Sequence, residues 1–170
     1  MIFNELDHRL SVVPRWVVLA TIQKQSVAEH CFNVERIARR IARDWLATDD
    51  RMLDVISQAA LHHDDEEAIT GDIPSPAKKK LFGEKYLDGA DGGWYNGDSR
   101  VRAIVKLADL MEAFWFLSME MQMGNRYVVQ HHQDMAQQMF DHGAQFGDEV
   151  KSRLNEWVAS MKFMRSETHG

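Results

Sequence analysis

Cysteine is almost missing: Cys31 stands alone among 170 residues. No intramolecular disulfide can form, and a reducing cytoplasm is the expected setting. Proline is also scarce, with three residues, so helix breaking is confined to Pro14 and the stretch holding Pro74 and Pro76. No apolar run approaches the roughly 20 residues that a membrane-spanning helix requires. The opening MIFNELDHRL is charged throughout and has no apolar centre, which is not the pattern of a secretory leader. Basic charge is in deficit: 20 Lys and Arg stand against 26 Asp and Glu, a net charge of −6 and a pI of about 5.7. That excludes a coat for nucleic-acid polymers, which needs a basic face. It leaves room for a small anion, because a few placed cations and a metal suffice locally. With 45% hydrophobic and 27% charged residues, the chain reads as one globular domain over residues 1–170, large enough to bury a core.

What is present is helical periodicity. Ser26-Val27-Ala28-Glu29 fits a capping box, in which the serine and the glutamate three residues on satisfy backbone donors at a helix start. Val27, Cys31, Val34, Ile37, Ala38, Ile41 and Trp45 follow at three- and four-residue steps, predicting an amphipathic helix to about Trp45. Asp49 or Asp50 caps a second helix with Met52, Val55, Ile56, Ala59 and Ala60 as its buried stripe. His63 continues that stripe, and Asp64 and Glu67 reach the same end of its inner face. Thr70 to Pro76 should stop the helix and form a loop. A long, very apolar helix is expected from Arg100 to about Met123, and two more from about Tyr127 to Phe146 and from Asp148 to Met164. No segment reads as a strand, so the expected fold is an all-α helical bundle. The stretch from Asp88 to Ser99 reads as a Gly/Asp-rich surface loop without the glutamate and spacing of an EF-hand.

Four residues are polar in apolar surroundings: His30 in Val27 to Phe32, His63-Asp64 at the end of the Ala59-Ala60-Leu61 run, and Asp109 between Ala108 and Leu110. A carboxylate on a buried face is costly unless it is paired or binds a metal. Two imidazoles and two carboxylates from three helices form a mixed nitrogen and oxygen donor set suited to zinc, manganese, cobalt or iron. Each residue alone has a plainer reading, as a satisfied core histidine or a hydrogen-bonded buried acid. The remaining histidines carry less. His131 and His132 lie in a polar, glutamine-rich stretch, and His8, His62, His142 and His169 have no ligand-like neighbours. Cys31 falls on the core stripe and reads as an inert thiol. The run from Met111 to Met119 reads as core, part of it available to another subunit of a homo-oligomer.

The segments Arg15-Trp16, Gln25 to His30, His63 to Ala68, Thr70 to Pro76 and Ala108 to Ala113, taken in order, resemble the HD-domain deoxynucleotide phosphohydrolases. Both the bacterial 5′-deoxynucleotidases and the short phage-encoded HD enzymes that hydrolyse dATP show this pattern. The resemblance spans about Arg15 to Met119 and implies an HD-type helical bundle. By it His30, His63, Asp64 and Asp109 bind a divalent transition metal (Zn, Co or Mn), and Glu67 and Asp72 act on the attacking water. Arg15, Trp16, Val18, Pro76 and Lys78 are then substrate contacts. Arginine and lysine hold phosphate, the indole and proline flank the base, and Val18 sits near its edge. The implied substrate is a small deoxynucleotide, with neither a nucleic-acid polymer nor a membrane as partner, in the cytoplasm or in that of a phage's host. The chain length and the Lys78-Lys79-Lys80 run favour a triphosphohydrolase acting on dATP. A 5′-deoxynucleotidase acting on monophosphates is the alternative, and a ppGpp-type hydrolase is a smaller one. A noncatalytic, metal-stabilised binding module would be of another class, but would have no use for Glu67 and Asp72.

Overall fold

The computed structural model describes residues 5–82 and 98–163, leaving aside the side chains at 75, 76, 79, 82, 162 and 163. Of the Gly/Asp-rich stretch only Asp98 and Ser99 fall within it, so the expectation for the rest of that loop lies outside the described residues.

Helix α1, Glu5–Val12, precedes the first helix legible in the sequence. Helix α2, Val27–Arg40, starts where the capping box places it: the Ser26 side chain accepts the Glu29 N–H at 3.2 Å. Such a cap is worth about 1 kcal/mol. The helix reaches Trp45 as expected, but its last stretch, Ile41–Trp45, widens into a π turn that still buries Ile41 and Ala42. Helix α3, Asp50–Leu61, is capped by Asp49, whose side chain accepts the Met52 N–H. Ile56, Ala59 and Ala60 are buried as expected, while Leu53 takes the central place and Met52 and Val55 are only partly covered.

The second helix does not carry His63. It ends at Leu61, and residues 62–66 form turns in which Asp65 N–H bonds His62 O and Glu67 N–H bonds Asp64 O. The reason is local. His63 Nδ1 lies 2.7 Å from the Ala60 carbonyl oxygen, the acceptor that a continuing helix would need for its own backbone. A short helix α4, Glu67–Thr70, follows and is closed by Gly71 at φ 73°, a conformation that favours glycine. The expected loop is brief, since helix α5, Ser75–Phe82, restarts with Pro76 in its first turn, where a missing N–H costs nothing.

Helix α6, Ser99–Gln122, is the axis of the fold. It packs against α2 and α3, and against α7, Val129–Gly143. A 3₁₀ turn, Ala144–Phe146, leads into α8, Asp148–Phe163. The core joins Val34 and Ala38, Ile56 and Ala60, Ile104 and Ala108, and Met139 and Leu154. The near-continuous apolarity of α6 follows, because neighbours cover most of its circumference. A second cluster of Leu10, Val27, Cys31 and Ala68 seats α1 and α4 on α2. Among the described residues the only strand-like pairing is an isolated bridge between Pro14 and Ser26, and no helix is long and apolar enough to cross a membrane.

That bridge closes the base of a loop. Arg15 N–H donates to Gln25 O and Val27 N–H to Val13 O, so residues 15–25 leave and return at one point beside the start of α2. The far side is pinned by Glu120, fully buried on α6, which accepts the backbone N–H groups of Ile22 and Gln23 at 2.7 Å each. The loop therefore meets α6 along the same face that presents Asp109 and Glu112.

Candidate metal centre and active site

Three separate pieces of chain bring their polar atoms to one place. His30 comes from the first turn of α2, His63 and Asp64 from the turns after α3, and Asp109 from the middle of α6. His30 Nε2 lies 3.2 Å from His63 Nε2, 3.6 Å from Asp64 Oδ2 and 3.4 Å from Asp109 Oδ1. His63 Nε2 and Asp64 Oδ2 are 3.4 Å apart. Two imidazole nitrogens and two carboxylate oxygens so gathered match the donor chemistry of a divalent transition metal, and His30, His63 and Asp64 alone form a group able to hold one. The tautomer of His63 suits that use. The Ala60 carbonyl can only accept, so Nδ1 carries the proton and the lone pair of Nε2 faces the group.

Around this group lie the other residues singled out in the sequence. Glu67 is buried; its Oε1 accepts a hydrogen bond from Lys78 Nζ at 2.7 Å, while Oε2 is buried with no hydrogen-bond partner. A buried carboxylate oxygen left unpaired is expensive, and such an atom marks a place for a water or a reacting group. Lys78 reaches the site from α5, with its ammonium on Glu67 and Glu66 3.9 Å away. Asp72 Oδ2 accepts the backbone N–H of Trp16 at 2.9 Å and so ties the loop after α4 to the loop before α2. Trp16 has φ 61°, a left-handed conformation costing an indole-bearing residue roughly 1–3 kcal/mol, and the Asp72 bond helps to hold it there. One face of its ring stacks on Phe116 at 5.3 Å, and its Nε1–H donates to Gln25 Oε1. Arg15 points inward, its guanidinium against His30 Nδ1 and 3.3 Å from Glu112 Oε2. Val18 is on the outer surface of the loop, 75% exposed. The side chain of Pro76 lies outside the described residues.

A family model described as "5'-deoxynucleotidase YfbR-like" matches residues 3–87, half of the chain. The chain belongs to this family. A "dATP triphosphohydrolase" of Salmonella phage PMBT28 is 32% identical over 127 residues, covering 64% of this chain and 62% of that protein. One of Acinetobacter phage SH-Ab 15497 is 34% identical over 130 residues, covering 65% and 64%. The chain thus spans a little under two thirds of these relatives' length. In fold, it is similar to the cyanophage S-2L HD phosphohydrolase (DatZ), solved bound to dA and one catalytic Zn2+ ion. The TM-score is 0.72 at 20% identity, over 95% of this chain and 98% of that one.

Within this YfbR-like frame the charges are strongly tuned. Burial would push Asp64 and Asp109 up. The imidazoles of His63 and His30 beside Asp64, and Lys106 beside Asp109, outweigh it and hold both carboxyls below the ordinary range. Glu67 goes the other way: burial, then the neighbouring Asp64 charge, push it up to about 7 against the pull of Lys78. Two anionic ligand candidates and one acid poised near neutrality are thus separated by environment alone. Sequence reasoning missed two residues here. Lys106, one turn before Asp109, places Nζ 2.7 Å from Asp109 Oδ2. Glu112, one turn after Asp109, accepts from Gln25 Nε2 at 2.6 Å and from Asn33 Nδ2 at 3.3 Å, and lies 2.8 Å from His30 Nδ1. Lys106, Asp109 and Glu112 recur every three residues, and that spacing puts them on one stretch of helix face; an acid and a base flanking Asp109 at that step were the available sign.

Proposed function

We propose that this protein is a metal-dependent phosphohydrolase of 2′-deoxynucleotides that releases triphosphate and deoxyadenosine from dATP. The observation that carries it is the convergence of His30, His63, Asp64 and Asp109 with the poised carboxyl of Glu67 beside them. Those four side chains would hold a divalent metal, which would supply charge neutralisation at phosphorus and make a water acidic enough to lose its proton near neutral pH. Glu67 handles that proton, since its own affinity for protons is matched to the task. Asp72 holds the Trp16 backbone and, through its second oxygen, orients the water. Arg15 and Trp16 take phosphate and base, the Arg15 guanidinium lying 5.3 Å from the centre of the indole ring.

The triphosphate reading is supported by the two phage relatives and by cations on two sides of the ligand group, Lys78 next to Glu67 and Lys106 next to Asp109. A 5′-deoxynucleotidase acting on monophosphates is the second reading, favoured by the description of the matching family. Both cleave next to the 5′ oxygen and use one site. Incubation with dATP and dAMP separately, with cobalt, manganese or zinc, and resolution of products by ion exchange, decides between them. Triphosphate plus deoxyadenosine from dATP supports the first; inorganic phosphate from dAMP alone supports the second. Metal binding without turnover of either would replace both by a binding module. Association of the chain into a homo-oligomer is part of the proposal, and sedimentation velocity tests it.

A further inference from the structure

Glu112 is fully buried on α6 and has no role in the chemistry above. Its partners come from two distant stretches of chain. Oε2 accepts from Arg15 Nη1 and lies 2.8 Å from His30 Nδ1, and Oε1 accepts from Gln25 Nε2 and Asn33 Nδ2. Every one of these partners is, or can be, a donor, and only an acceptor-only group satisfies all four. The detail that matters is a competition at His30 Nδ1. Arg15 Nη1 touches the same ring nitrogen. Were the guanidinium the partner that counted, Nδ1 would accept, the proton would sit on Nε2, and the nitrogen facing His63, Asp64 and Asp109 would have no lone pair to give. A carboxylate at Nδ1 imposes the opposite arrangement: Nδ1 carries the proton and Nε2 is left free. The same oxygen also draws the Arg15 donor, so the two groups do not contend for one lone pair.

We propose that Glu112 is the positioning residue of this site. It fixes the His30 tautomer that a metal requires and aims Arg15 with the same carboxylate, so metal affinity and phosphate binding depend on one buried group. Gln25 extends the link to Trp16, because its amide nitrogen donates to Glu112 and its amide oxygen accepts from the indole. The inference rests on the metal reading given above.

A merely structural Glu112, holding α6 to the loop, would affect stability and leave metal affinity alone. Glu112→Gln keeps the shape and replaces one oxygen by two donors, which must face either His30 and Arg15 or Gln25 and Asn33. Chelator competition with Zn2+ or Co2+ should show affinity lowered roughly 10–100-fold, with KM for dATP raised as Arg15 loses its anchor. A folded variant, by circular dichroism, that binds Zn2+ within twofold of the parent overturns the proposal. Should the variant not fold, nitrogen-15 histidine spectra of the metal-stripped parent at alkaline pH test the same point. The Nδ1-protonated tautomer of His30 is expected, and the Nε2-protonated one overturns the proposal. A parent that binds no metal in the same titration removes the metal reading and this inference with it, whereas normal binding by Glu112→Gln removes the inference alone.

Discussion

Replacing Glu67 by glutamine should slow the proposed reaction and strengthen the fold, and both effects follow from one carboxyl. In the folded protein, burial and the Asp64 charge move Glu67 from its ordinary 4.5 to about 7. A carboxyl raised in the folded state binds a proton more tightly there than when unfolded. Its contribution to stability is intact below the unfolded value and is lost as pH rises through the folded one. Above neutrality the ionised Glu67 therefore costs the fold about 3 kcal/mol, taking about 1.4 kcal/mol for each pH unit between the two values. Glutamine has nothing to ionise and keeps an oxygen for Lys78. In metal-stripped protein at pH 8, Glu67→Gln should raise Tm by several degrees, at roughly 2–4 °C per kcal/mol for a chain of this size. The gain should shrink steadily as pH is lowered toward 5. Turnover should fall in parallel by roughly 10²–10⁴-fold, the usual contribution of a general acid–base group, with metal and substrate still bound. Thermal melts across pH and steady-state kinetics with dATP measure both. A melting curve that gains nothing at pH 8 would show that the carboxyl is not destabilised by its surroundings. Near-normal turnover would move the proton role to Asp72.

Four further outcomes are expected. His63→Ala and Asp109→Ala should each lose metal and activity together, and elemental analysis finding full metal content in both would sink the ligand assignment. Lys78→Ala should weaken dATP far more than dAMP if the ammonium meets the outer phosphates, whereas equal losses would remove it as an argument for a triphosphate. The same change should shift the acidic limb of the pH profile of turnover upward, since Lys78 is the group holding Glu67 down. Asp72→Ala deprives the Trp16 N–H of its acceptor and should loosen the loop, raising KM by about 10-fold, on the order of one lost hydrogen bond to a charged group. Calorimetric titration with a non-hydrolysable nucleotide checks it.

Much of this was legible because the helices announce themselves. Ser26 and Asp49 cap where capping chemistry says they should, and the run from Ser99 to Gln122 is apolar enough to demand burial on most sides. The four ligand candidates stood out because charge in apolar surroundings needs a reason. What escaped was long-range or local in an unpatterned way. The break after Leu61 depends on a histidine ring taking a carbonyl, which no periodicity reports. The role of Gln25 is set by a partner 87 residues away, and alone it reads as a polar residue before a helix. Lys78 reads in the sequence as a phosphate contact, and in the structure its ammonium donates to Glu67, a pairing across the α4–α5 loop that no periodicity signals.

The lone thiol has a practical consequence. Cys31 sits in the small cluster beneath α1 and α4, and burial pushes its proton affinity far above that of a free cysteine. A disulfide reagent needs an exposed thiolate, so it reacts only when that cluster parts. The residue next to it is His30, and α4 begins with Glu67. Labelling kinetics at this one position would therefore clock the excursions in which the part of the molecule carrying the candidate site opens, with no second sulfhydryl to blur the count and no probe to install.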